Sequence, residues 1–308
     1  MGRFSVPAIV FGIGVVLIAL SLIGILPGLT GAGGGLIFLA LVLFGLSFVP
    51  RPESASDQPA MSAAESLGKI FFSPAEVFRN LRHHPRWLAA LLVMSILSGI
   101  YLFAFAQRLT PERIGNFMTE KITQSGFQIP EDRVAQMRQD NIKQYKEPIR
   151  QFGSAVSGFV GMFVFCAFLA AIYFIVVLAM GGNINYWQSF STTVYSLFPV
   201  MVLERLLSLV ILFLKDPADI HPLLGQQSLV QDNLGVLLFN PAENPVLFSL
   251  GASIGLFSLY GLWLAATGLK NAGEKVSGGQ AWTAALVVWL FGVVFRAAAA
   301  AIFPGFLS

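Results

Sequence analysis

The chain has little of what a soluble globule displays on its surface. Only 11% of its 308 residues are charged, against roughly 25% in soluble domains, so polar side chains are too few to cover a globule of this length. That excludes an ordinary soluble enzyme. The single cysteine, Cys166, excludes an internal disulfide framework. The three histidines are His83, His84 and His221. Adjacent histidines on one helix point about 100° apart and cannot share a metal ion, so no metal site is expected. The sequence contains no zincin motif, phosphate loop, dinucleotide fingerprint or cysteine cluster, and therefore implies no cofactor. A net charge of +3 gives no case for nucleic acid. What the chain has in abundance is apolar material, 56% of its residues with 28 Phe and 30 Gly. This also excludes disorder. A multi-span membrane protein remains.

Crossing a hydrocarbon core of about 30 Å takes about 20 mostly apolar residues in helix. Seven runs meet this: 6–26, 31–49, 87–106, 155–180, 191–214, 246–267 and 281–303. The expected fold is an all-α bundle with seven spans. The first two are joined by the Gly-rich turn PGLTGAGGG and read as a helical hairpin, 1–49. With no small-residue cleavage site after it, the first span reads as retained. The polar stretch 50–72 reads as a linker, and 73–308 as a five-span domain. Basic residues set the orientation. With a cytoplasmic N-terminus, Arg3, Arg51, Lys69, Arg79, Arg82, Arg86, Lys270 and Lys275 fall inside. The stretch 215–245, with Asp216, Asp219, Asp232 and Glu243 against one lysine, then falls outside, as does the C-terminus.

Two segments between spans look ordered. In FFSPAEVFRNLRHHPRW, Ser73, Pro74 and Glu76 form a capping-box start. Pro74, Val77, Phe78 and Leu81 then make an apolar stripe beside Arg79, Arg82, His83, His84 and Arg86. This describes an interfacial helix at 73–85. Its Arg79, Arg82 and Arg86 form a candidate lipid-facing basic surface, each worth about 1 kcal/mol near an anionic leaflet. The alternative is a positively flanked entry to the next span. Segment 107–154 reads as an extramembrane cap of two amphipathic helices. The first opens at Thr110 and Pro111 and ends at Ser125 and Gly126; the second begins at Pro130, and Pro148 marks the passage into the following span. The cap offers a surface to a partner or packs on its own bundle.

The seven spans carry three charges, Glu204, Arg205 and Arg296. Each costs about 3 kcal/mol on insertion scales and so asks for a partner. Glu204 can pair with Arg296. The cluster reads either as an ion or solute path or as a structural pair that orients two helices. GASIG at 251–255 matches a nucleophile-elbow pattern, but no histidine lies in a span to activate Ser253. It reads better as Gly251-x-x-x-Gly255, a close-packing surface, with Gly153, Ser157, Gly161 and the run Ala297 to Ala301 as similar surfaces for helix association or self-association.

From about Phe71 to Phe303 the order of features resembles the Yip domain family of five-span membrane proteins, particularly its bacterial members. The resemblance rests on FFSPAEVFRNLRHHPRW entering a span, a long segment to the next, MGGNINYWQSFSTTVYSLFPV between two later spans, and SLYGLWLAATGLKNAGEKVSGGQAWTAAL joining the last two. It implies a cytosolic N-terminus; the family is named for binding Ypt/Rab GTPases, and its eukaryotic members resemble membrane-trafficking and membrane-shaping adaptors with an acidic Asp-x-x-Gly-Pro type motif before the first span. Here the corresponding stretch reads FFSPAEVF, which departs from that motif and favours a protein of the bacterial inner membrane. The hairpin lies outside the resemblance. The expected function is a non-enzymatic integral membrane protein that organises membrane or recruits partners, in contact with the bilayer and anionic lipid; the alternative is a transporter or channel component built on Glu204, Arg205 and Arg296.

Overall fold

The computed structural model describes residues 4–50, 59–124 and 129–302. Arg3, Arg51, Ser125, Gly126 and Phe303 lie outside the described residues. Within them the regular elements are helices: α1 Ser5–Leu22, α2 Thr30–Leu46, α3 Ala63–Lys69, α4 Pro74–His83, α5 Leu88–Leu109, α6 Pro111–Gln124, α7 Glu131–Lys146, α8 Pro148–Ala179, α9 Tyr186–Leu214, α10 Leu224–Gln227, α11 Leu234–Leu238, α12 Pro245–Ala252, α13 Leu256–Ala272 and α14 Gly278–Ile302. Five of them, α1, α5, α8, α9 and α14, are long and apolar enough to cross a membrane. The 17-residue α2 is equally apolar but shorter. The expected span 246–267 is instead divided between α12 and α13, with a break at 253–255.

One compact unit comprises Met1–Ile96, Ile149–Pro199 and Trp263–Val288. In it α1 and α2 cross where Gly14 faces Gly33. A Cβ on either would lie 2.8 or 2.7 Å from the other's carbonyl oxygen, so side chains are excluded from the crossing. The hairpin is tied to the rest of this unit. Leu29 packs on Gly153 of α8, Asn185 Nδ2 donates to the Pro50 carbonyl at 3.0 Å, and Trp187 Nε1 donates to the Val49 carbonyl at 3.3 Å.

Helix α4 begins at Pro74 as expected, but the capping box does not form. The Ser73 side chain makes no capping bond, the Glu76 N–H donating to the Ser73 carbonyl at 3.1 Å instead, while the Glu76 carboxylate pairs with Lys69 at 2.8 Å and Lys69 also holds Glu65 at 3.0 Å. The side-chain cap in this stretch is Ser62, whose Oγ accepts from the Glu65 N–H at 3.1 Å. The α4 stripe of Val77, Phe78 and Leu81 is buried in protein: Phe78 and Thr192 of α9 together crowd Gly268 of α13.

The first half of α9 turns polar side chains inward. Gln188, Ser189, Ser191, Thr192, Thr193 and Ser196 are all buried. Ser189 Oγ donates across to the Ala170 carbonyl of α8 at 2.8 Å, and Thr193 Oγ1 donates to its own helix at 2.9 Å. Large apolar side chains such as Ile96, Phe165, Phe168 and Ile175 are exposed instead. This is the inverse of a soluble core and is the arrangement expected where the surroundings are lipid.

The other unit comprises Leu97–Pro148, Val200–Leu262 and Trp289–Ser308. Its core gathers Tyr101, Phe105, Leu109, Ile114, Leu212 and Ile220. Helices α6 and α7 pair through Asn141 Nδ2 donating to Thr119 Oγ1 at 3.0 Å. Arg113 of α6 donates to the carbonyls of Pro217, Ala218 and Ile220, which ties the cap to the loop after α9. The break between α12 and α13 has a visible cause. The backbone groups it frees are taken up by the loop before α11: Leu234 N–H donates to the Ile254 carbonyl at 3.0 Å, and Asp232 Oδ2 accepts from the Phe257 N–H at 2.9 Å, capping α13. Gly251 does mark a close approach, and its neighbour is the backbone of Gly235 in α11. Ser253 Oγ is committed to the Ser249 carbonyl at 3.1 Å.

Candidate functional site

The three stretches that carried the family resemblance lie far apart in sequence and meet at one place in the first unit. A positive φ of 78° at Gly181 turns the chain out of α8, and Asn183 then forms an antiparallel bridge with Lys275. The Asn183 N–H donates to the Lys275 carbonyl at 3.1 Å, and Asn183 Nδ2 donates to Glu274 Oε2 at 3.0 Å. Arg82 Nη2 at the end of α4 donates to the Glu274 carbonyl at 3.3 Å. The Arg82 carbonyl in turn accepts from Gln188 Nε2 at 2.8 Å, and Gln188 Oε1 accepts from the Asn185 N–H at 2.7 Å. The result is a polar platform in which each loop holds another.

Beside it, α3, the end of α4, the start of α5 and α9 enclose a cavity of about 650 Å³, lined among others by Ser66, His83, Arg86, Trp87, Trp187 and Tyr195. Arg86 is anchored by Nη1 donating to the Met61 carbonyl at 3.2 Å. Trp87 stands edge-on to Phe163 and Phe190, with ring centres 5.3 and 5.2 Å away. Arg79 lies elsewhere, bordering a hollow with Phe72 and Trp263. Of the three candidate lipid-facing arginines, Arg79 and Arg86 are exposed and Arg82 is half-buried in the platform.

The intramembrane charges belong to the second unit. Arg205 Nη1 donates to the carbonyls of Gln226 and Gln227, and its guanidinium stacks 4.9 Å from the Tyr101 ring centre. Tyr101 itself donates to the Gly225 carbonyl. Glu204 lies within electrostatic reach of Arg205, Asp232 and Arg296. The expected direct Glu204–Arg296 ion pair within 4 Å does not form among the described residues, whose pairs include Lys69–Glu65, Lys69–Glu76 and Lys146–Glu112. Arg296 is exposed. Helix α9 starts at Tyr186, five residues before the expected span, so Glu204 falls in the C-terminal half of the helix, where the 226–232 loop meets it.

A family description, the Yip1 domain, matches residues 68–299, three quarters of the chain. The chain belongs to the Yip1 domain family. No curated protein and no solved structure matches it. Family and apolar helices together make it a multi-pass membrane protein of the Yip type, in contact with the lipid bilayer. The Yip1 match begins just before α4 and ends near the end of α14, so it takes in the platform and both groups of candidate residues and leaves out the hairpin α1–α2. Sequence reasoning missed the platform's connecting residues, Asn183, Gln188 and Glu274, and the buried hydroxyl run of α9. The signal for the run was present as SFSTT within an otherwise apolar span. Small hydroxyl residues inside such a span pack helices closely and bond to nearby carbonyls.

Proposed function

We propose that this Yip-family protein is a non-enzymatic membrane organiser that recruits partners through the platform at the end of α4. The observation that carries this reading is the fixed geometry of Arg82, Asn183, Gln188 and Glu274, which spends polar side chains on holding loops in place at the end of α4, while Phe72 before α4 and Arg79 on it stay exposed. Phe72 is 89% exposed, and Trp263 and Arg79 flank it. An aromatic pair with a cation is suited to a membrane interface, where one end is apolar and the other wet. We place this surface on the cytoplasmic side of a seven-crossing chain, with α2 as the second crossing, α12 and α13 together as the sixth, and the cap α6–α7 outside. The bacterial inner membrane is the compartment we favour.

The test is photo-crosslinking from position 72 in native membranes. Discrete protein adducts are expected, and an adduct pattern containing lipid alone would overturn recruitment. For orientation, a Cys166→Ala background allows Arg79→Cys and Asn240→Cys to be labelled in intact cells with an impermeant maleimide; only position 240 should react. The reverse pattern would overturn the topology.

One observation favours the second reading, a transporter component. The discontinuous α12–α13 places Asp232 at a broken helix within electrostatic reach of Glu204, an arrangement transporters use at substrate sites. A proteoliposome flux abolished by Glu204→Gln, with folding intact, would favour it over the platform.

A further inference from the structure

The cavity beside the platform has a chemistry that the platform itself does not use. Its wall carries Arg86, His83 and His84 and no carboxylate. The nearest acids of α3 and α4, Glu65 and Glu76, are both taken by Lys69. The cavity is therefore electropositive and suits an anion. The Met61 carbonyl holds Arg86 through Nη1, which orients the planar guanidinium. The lining also carries aromatic side chains, Trp87, Trp187 and Tyr195. At one edge the lining runs out along α5 through Leu88 and Leu92, which are 50% and 41% exposed and continue into the exposed Val93 and Ile96. A site that is cationic within and opens onto the lipid-facing side of a span has the polarity of an amphiphile with an anionic head. Its volume, about 650 Å³, falls in the range of about 300–1,000 Å³ typical of ligand sites.

We propose that this cavity seats the headgroup of an anionic phospholipid, with the phosphate against Arg86 and the histidine pair and an acyl chain along Leu88 and Leu92. The proposal rests on the reading that the end of α4 meets a membrane leaflet, and it adds a single stoichiometric site to that diffuse contact. Guanidinium and phosphate form charge-assisted bonds about twice as strong as neutral ones. One occupied site would also join α3, α4, α5 and α9, which all contribute to its wall.

The test uses the full chain in neutral-detergent micelles with three probes: dioctanoyl phosphatidylglycerol, dioctanoyl phosphatidylcholine and glycerol 3-phosphate. Trp87 and Trp187 line the cavity, so tryptophan fluorescence reports occupancy, and native mass spectrometry gives the stoichiometry. Saturable binding of one phosphatidylglycerol is expected, weakened about tenfold or more by Arg86→Gln and less than twofold by Arg79→Gln. Equal binding of phosphatidylcholine would overturn the anionic headgroup. Equally tight binding of glycerol 3-phosphate would overturn the lipid in favour of a soluble phosphate ester. Equal weakening by Arg79→Gln and Arg86→Gln would overturn the cavity while leaving leaflet attraction standing, and no weakening by either would overturn both. Ala89→Trp, which fills the cavity without removing a charge, provides a second route should Arg86→Gln fail to fold. It should abolish binding, and binding that survives it would also overturn the proposal.

Discussion

Replacing Gly268 by alanine puts a methyl carbon where α4, α9 and α13 meet. That carbon would lie 2.5 Å from Thr192 Cγ2 and 2.9 and 3.0 Å from two carbons of the Phe78 ring. Carbon atoms at rest stand about 3.5–4.0 Å apart, so the neighbours must retreat by about 1 Å. They have little room, since Thr192 and Phe78 are both fully buried and Thr192 is stiff at χ1. Overpacking of this kind costs about 1–3 kcal/mol. Against it stands the helix preference of alanine over glycine, about 1 kcal/mol. Gly158→Ala in α8 isolates the two effects, because a Cβ there meets nothing within 4 Å. The two variants should therefore differ in stability by about 1–3 kcal/mol, with Gly268→Ala the weaker. At roughly 2–4 °C per kcal/mol the gap in Tm is about 2–12 °C. Cys166, the single cysteine, is buried, so a thiol-reactive dye in a thermal ramp reads unfolding directly. Identical Tm values for the two variants would refute the close approach of α4 and α9 to α13, and with it the geometry that orients the platform.

Two further outcomes test the second unit. His221 Nδ1 accepts from the Leu223 and Leu224 N–H groups at 3.2 and 3.1 Å. Its burial, with Lys121 and Arg113 adding like charge, holds its pKa below the ordinary 6.5. Phe117 packs edge-on at 5.0 Å. The unfolded chain therefore takes up the proton first as pH falls, so this contribution to stability is complete above about 6.5 and is lost as pH drops through the lowered folded-state value. His221→Gln should flatten the pH dependence of Tm in that window, and an unchanged profile would refute it. Arg205→Gln removes the guanidinium from the Gln226 and Gln227 carbonyls and should cost about 1–3 kcal/mol. Hydrogen exchange at residues 224–228 should rise, and unaltered exchange would refute the anchoring role.

Helix starts are the most legible feature of the chain. Helices α4, α6, α8 and α12 all begin at a proline, Pro74, Pro111, Pro148 and Pro245, because a residue with fixed φ and no N–H is best placed in a first turn. The capping box at Ser73 fails for a reason the motif does not contain: the Glu76 N–H donates to the Ser73 carbonyl and the Ser73 N–H to the Lys69 carbonyl, so both donors it would use are taken, and Lys69 also claims the Glu76 carboxylate. The partner of Arg205 is illegible for a different reason. Backbone carbonyls hold it, and every residue carries a carbonyl, so no side-chain pattern announces which ones will converge. Arg296 is the visible opposite charge for Glu204 in a span, yet Glu204 also lies within electrostatic reach of Arg205 and of Asp232, in a loop whose path the sequence does not reveal. The continuous apolar run at 246–267 hides the break in α12–α13, since hydropathy records composition and is blind to a loop that returns to cap a helix with Asp232.

The sequence by itself determined that this chain belongs in a membrane and where its long helices run, because transfer of apolar residues and satisfaction of backbone groups within a helix are both local requirements. Only the tertiary structure decided what the scarce polar residues are for. In a chain with 11% charge, the polar side chains that anchor the fold find their partners one or more helices away: Glu274 with Asn183, Arg82 with Gln188, Arg205 with the loop after α9. Such pairings depend on which helix faces touch, a property of packing that no window of sequence contains.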